Sequence, residues 1–424
     1  MLENNHTVHP QANYAEDKTI LILGAGPDQY PLYQRAKEAG ARIIGADANA
    51  ASLARDLTDQ FLHIKTRRAE EILELLAGEK IDGVASPGND SFHQTIFDLA
   101  KQLELPHTLS SAAVRASMDK GYFSDKAKEI GLFSPQHCQS RKLCKLEEFA
   151  KKARFPLIAK PSDASGSKGL SFLDCIQELP VGFEKAASLS PTHTVIAEEY
   201  IPGDQFGVET FFYKGQCILL AVSKRGHTGA PDFLVTHHHM SKDLTSSIES
   251  ELRLAVNAIA KELGITDGPI NFDVIKPHSG PLCFLEMGAR LSGNGFPQLV
   301  RQVFGVDTYE WTLQTALGLL LPDATGALAP KQSGLLKILS ANKTGVFDGV
   351  RGLEHFRKEP AFRDLHLFVS KGDQVRPFKK TIDRLGTVLL SHEDPELIEQ
   401  ALRVLEKNIS FEISETNSII EAVS

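Results

Sequence analysis

The sequence has no paired-cysteine pattern. Its five cysteines, Cys138, Cys144, Cys175, Cys217 and Cys283, are odd in number and include no CxxC pair. That argues against a disulfide framework and a zinc–thiolate site, and it fits a reducing cytoplasm. No apolar run approaches the ~18 residues of a membrane span. Met1 to Lys18 is polar, without the apolar stretch of a signal peptide, so neither membrane nor export is expected. Positive charge is not in excess either. Lys and Arg number 46 against 54 Asp and Glu, a net charge of -8, and the pI is about 6.0. A nucleic-acid partner is therefore not expected. Neither a P-loop nor a G-x-S-x-G elbow occurs, and there are no repeats.

What is present is ordinary for a soluble globular protein: 42% hydrophobic and 24% charged residues. A length of 424 residues sets a prior of two to four domains at roughly 150 residues each. Residues 1–17 read as a flexible tail. From residue 18 to 112, short apolar runs (Thr19–Gly24, Ala41–Asp47, Ile81–Ala85) alternate with helical stretches (Leu32–Ala39, Ala69–Ala77, Phe92–Leu103). Such alternation predicts an α/β domain built on a doubly wound parallel sheet. Two helices follow, near 111–120 and 123–130. Beyond them the texture changes to α+β, with short strands such as Phe155–Lys160 and Val195–Tyr200 set between Gly and Ser turns. Phe206–Phe212 and Ile218–Ser223 are expected to pair antiparallel. Ile248–Leu263 and Trp311–Leu320 are expected as helices. The last region, 323–424, mixes short strands (Leu335–Leu339, Thr387–Leu390) with a helix at Pro395–Asn408.

Five segments could carry chemistry. Gly24-Ala-Gly26-Pro-Asp-Gln29 precedes Asp47 at the spacing of a ribose-binding acid, but the third glycine is absent and Pro27 removes a backbone donor. A structural or substrate-binding turn is the better reading, and NAD is not expected. Ser162-Asp-Ala-Ser165-Gly166-Ser167-Lys168-Gly169 could close backbone N–H groups on phosphate oxygens, or be a plain surface loop. Lys160, at the end of the strand before it, needs a partner if buried, such as a phosphate or an adenine nitrogen. Glu198 in Glu198-Glu199-Tyr200-Ile201-Pro202-Gly203 could accept from an adenine amino group, pair with a lysine, or be a solvated strand end. In His237-His238-His239, His237 and His239 share a strand face. With no third ligand nearby, contact with substrate or solvent is expected before zinc.

The most informative segment is a hairpin over 270–287. A turn centred between Ser279 and Gly280 sets Asp273 opposite Glu286 and Asn271 opposite Gly288. Strand alternation then gives Asn271, Asp273, Glu286 and Arg290 one common side. Two facing carboxylates repel unless a cation lies between them, and hard oxygen ligands suit Mg²⁺ bridging to phosphates. Arg290 would lie beside a transferring phosphoryl group, or be half of an Asp–Arg ion pair on a solvated face. The tight Gly293-Asn294-Gly295 sequence favours the first.

Taken in order, Asp119-Lys120, Lys160, Ser165 to Gly169, Glu198, Asp273, Glu286 and Arg290 resemble the ATP-grasp superfamily, over roughly 18–322. Arg384-Leu-Gly386 before a strand is similar to the tail of its amino-acid ligase branch. Carbamoyl phosphate synthase large chains are a related branch. The resemblance implies a Rossmann-like pre-ATP-grasp domain at 18–112, a small lobe or lid at 113–197, a large lobe at 198–322 and a C-terminal subdomain at 323–424. It implies that Lys120, Lys160, Ser165, Gly166, Ser167, Gly169, Glu198, Tyr200, Ile201 and Gln205 bind ATP. Asp273 and Glu286 would hold one or two Mg²⁺ (or Mn²⁺) ions. Arg290 and Lys168 would act on the reacting phosphoryl group. Two departures stand out. Gln205 replaces the usual ribose acid, and Gly288 replaces an Asn two residues after the bridging Glu, with Asn271, Asn294 or water as the substitute.

These readings converge on an ATP-dependent carboxylate–amine ligase that forms an amide or peptide bond through an acyl phosphate, on an amino acid or small peptide. Alternatives are a ligase activating bicarbonate or formate, and a nucleotide-binding sensor without turnover. Substrate contacts are expected from Asn89, Asp90, Lys224, His237, His239, Gly293, Asn294 and Arg384. Partners are expected to be small molecules, and a homodimer is implied by family analogy alone.

Overall fold

Thr19–Leu23 is apolar at four of its five positions, and such a strand needs cover on both faces. In the computed structural model, which describes residues 13–106, 109–164, 166, 168–243, 246–321 and 327–415, it lies in a parallel sheet. Arg42–Asp47 and Gly83–Ala85 flank it, and Gln60–His63 lies outside Arg42–Asp47. Alternation sorts its side chains. Ile20 and Ile22 pack with Leu32, Tyr33 and Ala36 of the helix Tyr30–Glu38. Leu21 and Leu23 pack with Ile72 and Leu99 of the helices Ala69–Leu76 and His93–Gln102. The expected doubly wound sheet is observed. The helix Thr308–Ala316, distant in sequence, adds Leu313 and Ala316 to the first face. Of the expected flexible tail, residues 1–12 lie outside the described residues, and within 13–17 Ala15 is anchored: it is 1% exposed and its N–H donates to Ala39 O at 2.9 Å.

A second, antiparallel sheet has the order His137–Ser140, Val195–Glu199, Leu157–Pro161, Ser171–Leu173. Helices Leu143–Ala150 and Leu179–Leu189 close its core through Leu146, Ala150, Leu179 and Phe183. The two helices Ser111–Met118 and Lys120–Glu129, expected largely with this lobe, instead join another core. Val114 and Phe123 pack with Phe206, Phe272 and Val256 of the neighbouring lobe.

The largest sheet has eight strands, in the order Cys283–Gly288, Gly268–Pro277, Gly203–Tyr213, Gln216–His227, Val235–Met240, Ser333–Ser340, Arg384–His392, Phe362–Leu367. The boundary expected at 322/323 therefore does not divide two sheets. His238 pairs with Leu336, and the ladder runs on into the C-terminal region. Local patterns carry no sign of this long-range pairing. A small sheet of Gln374–Val375, Gly345–Arg351 and Ser410–Ser414 covers the far side with the helix Pro395–Asn408. All five cysteines are free, and among the described residues no helix is long and apolar enough to cross a membrane.

Candidate active site

The cleft between the four-stranded and eight-stranded sheets holds two connected cavities. The smaller encloses about 140 Å³ and the larger about 700 Å³, and Lys120, Lys168, Arg225, Asp273 and Glu286 line both.

The smaller cavity is built first by strand parity. Leu157 and Ala159 point into the core between the antiparallel four-stranded sheet and its helices, which turns Ile158 and Lys160 into the cleft. Lys160 Nζ meets Glu198 Oε1 at 2.6 Å, with both side chains nearly buried. Burial works against the ammonium. The carboxylates of Glu198, Glu286 and Asp273 outweigh it, and its pKa rises. Lys120 opens a helix capped by Asp119, whose carboxylate accepts from Tyr122 N–H at 3.1 Å. Lys120 Nζ donates to Ala164 O at 2.6 Å and lies 3.3 Å from Glu286 Oε2.

Tyr200, Ile201 and Gln205 line the same cavity with Leu170, Phe233, Ile275 and Leu285. Tyr200 meets Phe172 edge-on at 5.2 Å and Phe233 at 5.9 Å. Three separate segments thus seal an apolar slot above the polar groups. Phe172 and Phe233 carried no motif and were not singled out from the sequence. Ser165 and Ser167 lie outside the described residues. Gly166 and Lys168 line the cavity. Gly169 does not: at φ +73°, a Cβ there would sit 3.0 Å from Pro161 Cγ, so this glycine serves close packing.

The hairpin register is the expected one at the site, with Asp273 opposite Glu286 and Asn271 opposite Gly288. A bulge shifts it by one between Asp273 and Val274, on the turn side. The two carboxylates are not left to repel each other. Arg225 Nη1 lies 2.7 Å from Asp273 Oδ1. Arg225 crosses directly over Gly207, where a Cβ would stand 2.7 Å from its Nε. For Glu286, burial pushes the pKa up, Lys120 and Lys160 pull it down, and the net shift is downward.

Among the described residues no group of three or more His, Cys, Asp or Glu could hold a metal. Two carboxylates facing across a hairpin nevertheless fit Mg²⁺, which retains waters and takes phosphate oxygens rather than an all-protein cage. Gly288 has a physical reason. A Cβ there would lie 2.8 Å from Asn271 Nδ2 and 3.1 Å from Asp90 Oδ1. Asn271 fills the space, but as a tie: its amide donates to Gly288 O at 3.1 Å and Arg290 O at 2.8 Å.

Arg290 has the ion-pair partner foreseen as its bland alternative, though from another domain. Its Nε and Nη2 bind the two oxygens of Asp90 at 2.8 and 2.7 Å, and Nη1 donates to Leu291 O at 3.0 Å. Burial raises the Asp90 pKa, but the charges of Arg290 and His93 hold it near about 2. Arg290 remains on the wall of the large cavity.

Asn89, Asp90, Gly293, Asn294 and Arg384 also line the large cavity, as expected. Lys224, His237 and His239 do not. Lys224 points outward to Asp204 at 3.0 Å, both more than half exposed. His237 lies across Gly226, where a Cβ would stand 2.0 Å from its ring. The neighbouring residues Arg225 and His238 face the cavity instead. His238 is buried, its Nδ1 is 2.9 Å from Ser223 Oγ, and burial drives its pKa far down, so the ring is neutral. The expectation chose the wrong face of two adjacent strands.

The Gly24–Gln29 turn is structural. Asp47 accepts from Ala25 N–H at 2.7 Å and from Asn49 N–H at 2.7 Å, so its oxygens are spent on the turn and not on a ribose. Within that turn Asp28, not singled out from the sequence, reaches across to accept from Asn294 N–H at 2.9 Å.

Residues 153–298 match the family model for the ATP-grasp domain, and residues 337–414 match the model for L-amino acid ligase C-terminal domain 2. The chain carries an ATP-grasp domain at residues 153–298. It is 24% identical over 339 residues to the carbamoyl phosphate synthase large chain of Rubrobacter xylanophilus, across 73% of this chain and 31% of that one. It is 24% identical over 416 residues to the formate-dependent phosphoribosylglycinamide formyltransferase of Bacteroides thetaiotaomicron, across 92% and 99%. The chain thus spans about a third of the first relative and nearly all of the second. The L-amino acid ligase of Bacillus licheniformis superposes with a TM-score of 0.81 at 19% identity, over 94% of this chain and 99% of that one.

Proposed function

We propose that the protein is an ATP-dependent carboxylate–amine ligase, forming an amide or peptide bond through an acyl phosphate, with an amino acid or small peptide among its substrates. One observation carries this reading. A slot of nucleotide character, with the Lys160–Glu198 pair at its wall, opens past the facing carboxylates Asp273 and Glu286 into a 700 Å³ cavity. Adenine would lie in the slot, against Tyr200 and Ile201, with Glu198 beside it and Gln205 near the ribose. Lys120, Lys160 and the loop containing Ser165, Gly166 and Ser167 would hold the phosphates, with Gly169 letting that loop pack against Pro161.

Asp273 and Glu286 would carry one or two Mg²⁺ ions. Mg²⁺ supplies neutralisation and bridging of phosphate oxygens when bound with ATP. Arg225 and Lys120, now paired to those carboxylates, would turn to phosphate. Lys168 and the free N–H groups of Arg290 would steady charge on the transferring group. No protein nucleophile is needed, because positioning and fixed charge supply the catalysis. A homodimer and a cytoplasmic location complete the reading.

A second reading, activation of bicarbonate or formate, is favoured by the nearly full-length likeness to the formate-dependent enzyme. The experiment is release of ADP and phosphate from Mg·ATP across amino-acid pairs, with products identified by mass. Amine-dependent release and a condensed product are expected. Release with bicarbonate or formate in place of the amino-acid carboxylate would select the second reading. ATP binding with no amine-dependent release would make the chain a sensor.

A further inference from the structure

The charges around the large cavity do not balance where they are free to act. Asp90 is bound to Arg290, Asp273 to Arg225, and Glu286 to Lys120. Asp163 accepts from Ser190 Oγ at 2.6 Å, and from the Thr192 N–H and hydroxyl at 3.0 and 2.6 Å. Among the described residues every acid on the wall is therefore engaged, and none is left for an ammonium group. Among the described residues three cations on the wall have no carboxylate within hydrogen-bond distance. Lys168 lines both cavities and belongs to the phosphate loop. Arg67 is exposed at the rim, 5.7 Å from the Phe92 ring. Arg384 is the third, and its side chain is only 11% exposed.

Arg384 is held in place but not satisfied. Asp383 before it pins the turn by accepting from Lys379 N–H at 3.1 Å and Lys380 N–H at 2.7 Å, and by pairing with Arg376. Strand parity then sends Arg384 to the opposite side, into the cavity. Its guanidinium lies 4.5 Å from the Phe368 ring, which fixes its plane. Nη2 is 3.7 Å from Asp28 Oδ2, too far for a hydrogen bond. Nη1 is buried without a partner. A fixed, buried guanidinium with an empty nitrogen is a fork awaiting an oxyanion. Ile338, Phe378 and Met287 supply apolar wall for the carbons of a ligand.

We propose that Arg384 binds a second anionic group on the substrate, one that is not activated, so that the ligand filling this cavity is a dicarboxylate rather than a simple zwitterion. This rests on the ligase reading for the fate of the first carboxylate. Binding is tested without turnover.

The probes are succinate and L-glutamate, each against its half-amide, succinamate and L-glutamine, titrated calorimetrically into the full chain saturated with Mg·ADP. A phosphomonoester acid, 3-phosphoglycerate, forms a third arm. At least one diacid is expected to bind about tenfold or more tighter than its half-amide. Arg384→Gln should bring the pair to near equality by weakening the diacid alone. Arg384→Lys, which keeps the charge and loses the fork, should keep part of the preference and carries the test if the Gln variant does not fold. Tightest binding of the phosphomonoester, lost in the same variants, would make the second group a phosphate. Equal affinity for diacid and half-amide in the parent protein, binding of none of the probes, or discrimination that survives in Arg384→Gln would each overturn the proposal. The ligase reading fails separately, on absent amine-dependent phosphate release.

Discussion

The two ends of the cleft are made differently. At the nucleotide end three acids face a base before any ligand arrives: Lys160 and Glu198 at 2.6 Å, Arg225 and Asp273 at 2.7 Å, Lys120 and Glu286 at 3.3 Å. Most of these partners sit on two adjoining sheets whose register fixes them. The far end is gathered from the turn at Asp28, the loop 290–294 and the start of the strand at Arg384, and it leaves a buried guanidinium nitrogen open. A ligand at the first end exchanges one partner for another. A ligand at the second supplies a partner that is missing. The first arrangement suits a co-substrate shared across a superfamily, and the second suits selection among substrates.

The sharpest way to break the nucleotide end is Glu286→Gln. Turnover is expected to fall by 10²–10³, about 3–4 kcal/mol of transition-state stabilisation, with the fold intact. Repulsion between Asp273 and Glu286, expected from the hairpin alone, would have made this variant more stable. With Lys120 3.3 Å from Glu286, a slight fall in melting temperature is expected instead. Phosphate release and thermal melting, measured together, check both; normal turnover would remove Glu286 from the metal site.

Next in size, Glu209→Gln probes what underlies the far end. Glu209 is fully buried and accepts from Ser292 N–H at 2.6 Å, which helps to hold the loop after Arg290. Burial pushes its pKa up to about 7, against the smaller lowering by Ser292 and Arg290. A carboxyl raised on folding stabilises while protonated, so its contribution is fully present below the unfolded pKa and is lost as pH rises through about 7. The loss is on the order of 3 kcal/mol. Glu209→Gln should be the more stable protein above about pH 8 and not below about pH 4, as read from urea midpoints at the two values. Parallel pH profiles for the two proteins would sink the idea.

Arg225→Ala follows, at the junction of the two ends. It is expected to lower kcat/KM for ATP roughly tenfold, the scale of one charged contact, while Lys224→Ala beside it stays within about twofold. The smallest effects belong to His237→Ala and His239→Ala, each within about twofold. Steady-state kinetics on the four variants test whether strand parity was read correctly.

Legibility in the sequence followed the range of the interactions. The Asp273–Glu286 pairing could be read because a hairpin links register to turn position within a few residues. Lys160 could be read because a charge at the end of an apolar strand needs a partner. Lys224 was misassigned because the seven residues before it in Gln216–His227 are all buried, which erases the alternation that would mark a face, and His237 and His239 because three successive histidines give both faces of Val235–Met240 the same side chain. Asp28 and Asp90 act on residues 266 and 200 positions away, and no local pattern foreshadows that. The continuation of the large sheet past residue 322 was hidden for the same reason.

That continuous sheet limits how such a protein can be rebuilt. The segment that matches the ligase C-terminal family begins at residue 337, inside the strand Ser333–Ser340, whose Leu335, Leu336 and Lys337 are laddered to His239, His238 and His237. A crossover at that point would join half a strand from one parent to half from another. It would also transplant Arg384 while leaving behind Asp28, Met287 and the 290–294 loop across the cavity from it. Recombination that changes the tail must therefore carry the Val235–Met240 ladder with it, so inheritance, and any designed chimaera, is expected to move the two as a single block.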